Sequence, residues 1–380
     1  MDRKKNASLI LDIGSASLGA CLTDRNKKDH PELSRVTRMP ISKTASSGSG
    51  ALQTALIETL KMLLAEYQKL GSLHSVRIIL ASPWYQSRLK TIFSKSDKPV
   101  RITHATVLHT VNNYRAKKEK EDPLPAGQTA IESVITQAYV NGYQSLIEKP
   151  LLGTTLKIEL YESAADSAFL KLVTDAIHGV FHDARISFHS FPLVSFVVLR
   201  SLRSEEGFTF LDIGGEVTDF AIVHKDGLRF LGSFPRGSKN LLSEIANGKS
   251  ESETASRLSL YVRGELSADE GASFAAGFSK AASLWNTDYE KMLEEAMKDV
   301  PIPSATFLIA DKEELEWYKK AIEIHDSKLF PMHPITLTPN FFQTAIRLGD
   351  GGLYDGFLSL EALFFHTEQK ELIEVFQARQ

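Results

Sequence analysis

Residues 9–22 (LILDIGSASLGACL) and 209–223 (TFLDIGGEVTDFAIV) repeat one pattern: an apolar strand, Asp-Ile-Gly, a turn of small or polar residues, and an apolar strand returning. This doubling constrains the fold more than any other feature of the chain. Asp-Ile-Gly after an apolar run is often only a tight turn. Two copies with matched flanks, their aspartates 200 residues apart at 12 and 212, instead describe a hairpin at the head of each of two related halves. Glycine lets such a turn bend with positive φ and brings backbone N–H groups close to an anion. A carboxylate at each mouth suits a hydrated cation beside that anion.

The chain has 380 residues, too many for one ordinary core, so two to four structural units are expected. Its net charge of −3 gives no bulk electrostatic case for nucleic acid or an anionic membrane surface. Cys21 is the one cysteine, so no intrachain disulfide framework or cysteine-based metal site can form, and its apolar strand marks it as a buried, inert thiol. No apolar run reaches the length of a membrane span and the first residues are not those of a signal peptide, so a cytoplasmic protein is expected.

Along the chain, Leu52, Leu56, Leu60, Leu63, Leu64 and Tyr67 recur at helical spacing, with Gly71 as a stop, and 76–80 reads as a short buried strand. The serine- and glycine-rich stretch 40–50 reads as a flexible loop. At Ala81–Trp84 the pattern breaks. Strands at 87–93, 131–140 and 156–161, a helix at 105–118 and another at 166–180 then describe a small inserted unit at about 81–180. The charge run RAKKEKED (115–122) is expected to be a solvated helix end. The helix of the inserted unit should bury Phe169, Leu172, Val173 and Ile177. Beyond it come a strand at 186–190, an apolar helix at 193–202, the second hairpin, a strand at 228–235 and a helix at 238–246. Helices at 254–263 and 278–298, a buried strand at 306–310 and helices at 313–322 and 354–365 complete the chain. Division at about 1–80 with 181–205, 81–180, and 206–380 follows, with a small helical subdomain at about 247–300.

The two hairpins, with 192–202, 227–246 (GLRFLGSFPRGSKNLLSEIA) and the inserted stretch 135–165 (ITQAYVNGYQSLIEKPLLGTTLKIELYESAA), resemble the actin/Hsp70-like ATPase superfamily. Within it they resemble the FtsA/PilM branch of bacterial cell division and type IV pilus assembly. The resemblance implies an α/β, actin-like (ribonuclease H-like) two-domain fold with an inserted small α+β subdomain of SHS2 type. It further implies ATP or ADP with Mg²⁺ between the halves, the metal on Asp12 and Asp212. Gly14, Ser15, Ala16, Ser17, Gly214, Gly215, Glu216, Thr218 and Gly237 would surround the nucleotide. Asp219 is expected to cap a turn or to stand behind the ligating groups rather than bind a ligand itself. The implied partners are the short tail of a membrane-associated protein or of FtsZ, with self-association into dimers or filaments. The ending GLYDGFLSLEALFF (352–365) is more like PilM, and its polar tail favours contact with the membrane through a partner, at the inner face of the cell membrane.

Three departures weigh on the chemistry. Glu216 and Val217 stand where the family has its third Gly and first Thr, and a carboxylate beside phosphate is repulsive without a metal between them. Asp311–Lys312 replaces the Gly-Gly of the adenosine loop, and Phe191 stands where many relatives carry a water-positioning acid. At most a weak ATPase is implied. Three readings remain open: a nucleotide-gated scaffold, a degenerate adaptor binding no nucleotide, and a sugar or acid kinase. Partners are expected on the inserted unit, where Trp84 and Tyr85 should stay partly exposed while most of its other rings (Phe93, Tyr139, Tyr143) fill its core.

Overall fold

The computed structural model describes residues 7–24, 30–41, 49–69, 71, 73–121, 123–145, 149–202, 207–224, 227–325, 334–367 and 376–377. Most of the loop expected at 40–50 lies outside these residues.

The doubling in the sequence is a doubling in the sheets. Ala7–Ile13 pairs antiparallel with Ser17–Asp24 and parallel with Ser75–Leu80. Gly207–Ile213 pairs antiparallel with Thr218–His224 and parallel with Thr306–Ala310. In each copy the third strand, Glu32–Pro40 or Gly227–Phe234, continues the antiparallel side. Asp12 lies opposite Gly19, and Asp212 opposite Asp219, on equivalent rungs. The central strands are buried along almost their whole length, as strands covered on both faces must be.

Two helices fill the space between the sheets. Phe191–Leu202 and Gly356–Thr367 are apolar nearly all round, which fits helices with no solvent face, and they pack on each other. The last segment does not stay with the second half, to which the sequence assigned it. Arg347–Leu348 pairs with Glu32–Leu33 at the edge of the first sheet, and Gly356–Thr367 packs on the first sheet's strands.

The inserted unit is a third sheet of long antiparallel strands, Gln86–Ile102, Gln128–Val140 and Leu151–Asp166, with Phe376–Gln377 on the outer edge of Gln128–Val140. The helix His104–Glu121 closes a core of Ile92, Ile102, Val107, Val111, Leu156 and Ile158. The charge run at its end is only partly solvated. Arg115 donates to Ser133 O (2.9 Å) and Lys118 to Glu162 (2.8 Å), across the sheet, while Lys117 and Glu121 are exposed. Ser167–His178, capped by Asp166 on Phe169 N (2.8 Å), buries Phe169, Leu170, Val173 and Ile177, whereas Leu172 is exposed.

The helix expected at 278–298 begins ten residues earlier and runs Ala268–Met297. Gly271 and Gly277 concealed its first turns, since glycine in a helix interior costs about 1 kcal/mol relative to alanine. Trp285 and Tyr289 on this helix anchor the second core beside Tyr318. No helix among the described residues is long and apolar enough to cross a membrane.

Candidate functional site

The two hairpin turns meet face to face. Each closes by the same bond, Gly14 N to Ser17 O (3.2 Å) and Gly214 N to Val217 O (3.0 Å). Neither turn uses positive φ, contrary to expectation; the glycines serve close approach instead. Ser15 Oγ accepts from Gly215 N (3.0 Å) and Glu216 N (3.1 Å), so one hairpin's hydroxyl takes the other's amides. Lys239 Nζ donates to Ser15 O (2.7 Å) and pairs with Glu216 (3.1 Å), which removes the repulsion expected of that carboxylate. Ala16 lies against Gly215.

The helix Ser238–Ala246 points its N-terminus at the second turn. Ser238 N donates to Gly214 O (2.9 Å) and Lys239 N to Gly215 O (3.0 Å). Gly237 makes this possible, because a Cβ there would stand 2.2 Å from Gly214 O. Thr218 is fully buried on the far side of its strand, donating to Arg236 O (2.7 Å) and accepting from Trp285 Nε1 (3.1 Å), so it faces the second core rather than the cleft.

Arg38, absent from every expectation, organises the carboxylates. Asp12, Gly19 and Arg38 occupy one rung of three adjacent strands, and the guanidinium reaches over Gly19 to donate to Asp12 Oδ2 (2.8 Å). It also grips Asp355 through two bonds (2.6 and 2.9 Å) and donates to Ser17 Oγ (2.8 Å). Ser17 in turn donates to Asp311 (2.9 Å), which lies 3.5 Å from the guanidinium. Burial raises the Asp12 carboxyl to about 6, against the pull of Arg38. Asp355 is only partly buried, and Arg38 and backbone amides bring it below the usual carboxylate range.

Asp212 differs: it is 4% exposed, makes no hydrogen bond or ion pair among the described residues, and is raised well above its ordinary value by burial and then by Asp219. Together with Asp219 it borders a cleft of about 350 Å³ at the base of the inserted unit. Asp219 accepts from Ser82 (2.8 and 2.7 Å) and Tyr85 (2.8 Å), so it ties the first half to the second rather than capping a turn. Tyr85 is accordingly buried, not exposed. Trp84 is half-buried, stacked on Phe169 at 4.5 Å and donating to Gly14 O (2.8 Å). The exposed rings of the inserted unit are Phe93 and Tyr143, at 63% and 80%. Phe191 is fully buried against Phe210 and Phe357, where it can orient no water. Cys21 is fully buried and its thiol is pushed up by burial.

These residues do not fit ATP or ADP with Mg²⁺ in this arrangement. The space bounded by Asp12, Ser15, Ser17, Asp212 and Gly215 is about 20 Å³, room for one water. Asp12 is engaged by a guanidinium, and the amides of Gly215, Glu216, Ser238 and Lys239 are spent on protein oxygens.

Glu361 is a further buried carboxyl, fully enclosed, with neither oxygen hydrogen-bonded among the described residues. Burial, then Asp12, raises it well above 4.5. It is therefore protonated in the fold at pH values where the unfolded chain has lost that proton. Its contribution is complete below pH 4.5 and is lost as pH rises towards its folded value. Up to that value this group should remove about 1.4 kcal/mol per pH unit. Glu361→Gln should remove that slope from urea-unfolding free energies measured across pH; an unchanged slope would show that Glu361 is ionised in the fold.

No family model matches the chain, and no curated protein sequence does. Solved structures do match. The chain has the two-domain, actin-like fold, with an added sheet in its first half. Within that class it is similar in fold to a structure described as "PilM-PilN type IV pilus biogenesis complex", at TM-score 0.66 and 16% identity, over 96% of this chain and 99% of that one. A Bacteroides thetaiotaomicron protein "with actin-like ATPase fold and unknown function" matches at TM-score 0.44 and 10% identity, covering 96% of this chain and 98% of that one. The ethanolamine utilization protein EutJ from Carboxydothermus hydrogenoformans matches at TM-score 0.44 and 11% identity, covering 94% and 89%.

Proposed function

We propose that this chain is a scaffold of a membrane-associated assembly machine of the type IV pilus kind, gripping the short tail of a membrane protein on its inserted unit. The observation that carries this reading is the end-to-end likeness to the structure of the PilM–PilN complex. The membrane is then reached through the partner, from the cytoplasmic side. Hydrolysis is not part of the reading, since Phe191 is sealed in the core and the cleft residues serve one another. No observation specific to FtsZ-tail binding, filament formation or sugar phosphorylation favours those alternatives.

The inserted sheet offers a surface suited to an extended tail. Phe93, Lys157 and Tyr139 share one rung on the face away from the helix His104–Glu121. Arg229 of the second half approaches that face, donating to Glu159 (2.7 and 2.8 Å) and to Tyr139. A tail could add along a strand or lie over the exposed rings. The test is fluorescence anisotropy with a labelled peptide of the cytoplasmic tail of the PilN-like membrane protein from the same genome. The double substitution Phe93→Ser, Tyr143→Ser alters exposed rings only, so the fold should hold while affinity falls roughly thirtyfold, about 2 kcal/mol. Equal binding by both proteins would move the site elsewhere, and no binding by either would refute the proposed role.

A further inference from the structure

We infer that the chain carries its own replacement for a bridging nucleotide: Ser15 and Lys239 join the two hairpin regions directly while Arg38, with Ser17, holds Asp311 of the second half, so the closed cleft is the resting state and needs neither nucleotide nor metal. The inference stands on the cleft alone, and it holds or fails independently of tail binding.

The geometry shows a built arrangement rather than two loops in casual contact. Arg38 can reach Asp12 only because residue 19, between them on the same rung, is glycine; a Cβ there would lie 2.7 Å from the guanidinium nitrogen. The equivalent rung of the second hairpin carries Asp219, so the opening is particular to the first. The guanidinium lies 5.1 Å over the Phe357 ring, which fixes its plane, and its fork serves Asp12, Ser17 and Asp355 at once. A lysine has one compact ammonium and cannot span these partners.

Across the cleft, the first half reaches the second through Ser17 on Asp311, Ser15 on the amides of Gly215 and Glu216, and Lys239 on Ser15 O. Asp12 Oδ2, Ser15, Ser17 and the amides of Gly215 and Glu216, groups that would otherwise face a phosphate or a metal, are taken by protein partners. Opening the cleft for a nucleotide would break these bonds and leave Arg38 beside a metal site, where like charges repel. The three departures in the sequence therefore act together: Glu216 holds Lys239, Asp311 takes Ser17 and faces Arg38, and Phe191 packs against Phe357 beneath the guanidinium.

Spin labels at Met62→Cys and Met297→Cys report on cleft width. These sites are exposed, on Ser49–Gln68 of the first half and Ala268–Met297 of the second, while native Cys21 is buried and stays unlabelled. Electron–electron resonance should give one narrow distance distribution for the full chain, unchanged by millimolar MgATP. Arg38→Ala should broaden it towards longer distances, and Arg38→Lys should not restore it. Asp311→Asn, a milder change on the other side of the cleft, should broaden it as well, and it decides the matter if Arg38→Ala does not fold. The inference is overturned if MgATP shifts or narrows the distribution of the unsubstituted protein, or if the folded variants remain as narrow as that protein.

Discussion

Glu132→Ala is expected to remove about 3–5 kcal/mol of stability, a large share of what a folded domain has, by leaving buried partners without their carboxylate. Glu132 stands at the joint between the inserted sheet and the first actin-like sheet, with its side chain fully buried. Its carboxylate accepts from Ser163 Oγ (2.9 Å), Ser190 N (3.2 Å) and Ser190 Oγ, and pairs with His189 Nδ1 (3.0 Å). His189 is itself held edge-on by Phe364 and Phe365, so it cannot turn to water. Urea unfolding measures the loss, and a change below about 1 kcal/mol would mean that the joint re-forms without the acid. Glu132→Gln keeps an acceptor and should cost less.

Gly237→Val should be the next most damaging change. The φ of −123° suits any residue, so the objection is one of space alone. A Cβ would meet Gly214 O at 2.2 Å and the Gly215 carbonyl carbon at 2.6 Å, all backbone atoms. Either the helix Ser238–Ala246 or the second turn must move, at about 3 kcal/mol or more. Thermal unfolding should show a clear drop in midpoint, and an unchanged midpoint would show that the turn yields freely.

The architecture was legible because its signals are local and repeated. Asp-Ile-Gly between apolar strands marked both hairpins, and helical spacing marked the helix at Ser49–Gln68. The site was legible only in part. Asp12, Ser15, Gly214 and Gly215 do meet at the cleft, but Thr218 belongs to the second core, and Arg38 went unnoticed. Nothing in a strand reading ELSRVTRMP distinguishes a clamping arginine from a solvent-facing one. The distinction rests on Gly19 lying between Arg38 and Asp12, a fact of register across three strands. Tyr85 was misread for a related reason: its partner, Asp219, lies 134 residues away in sequence and across the cleft. The return of residues 347–367 to the first half likewise depends on a long-range pairing no local pattern reveals.

The scaffold reading and the closed cleft together make one measurement decisive. The tail peptide of the PilN-like membrane protein should be titrated into the unsubstituted chain with and without millimolar MgATP. The account predicts saturable binding with the same affinity in both titrations. Absence of binding in both, or binding that appears only when MgATP is added, would contradict it.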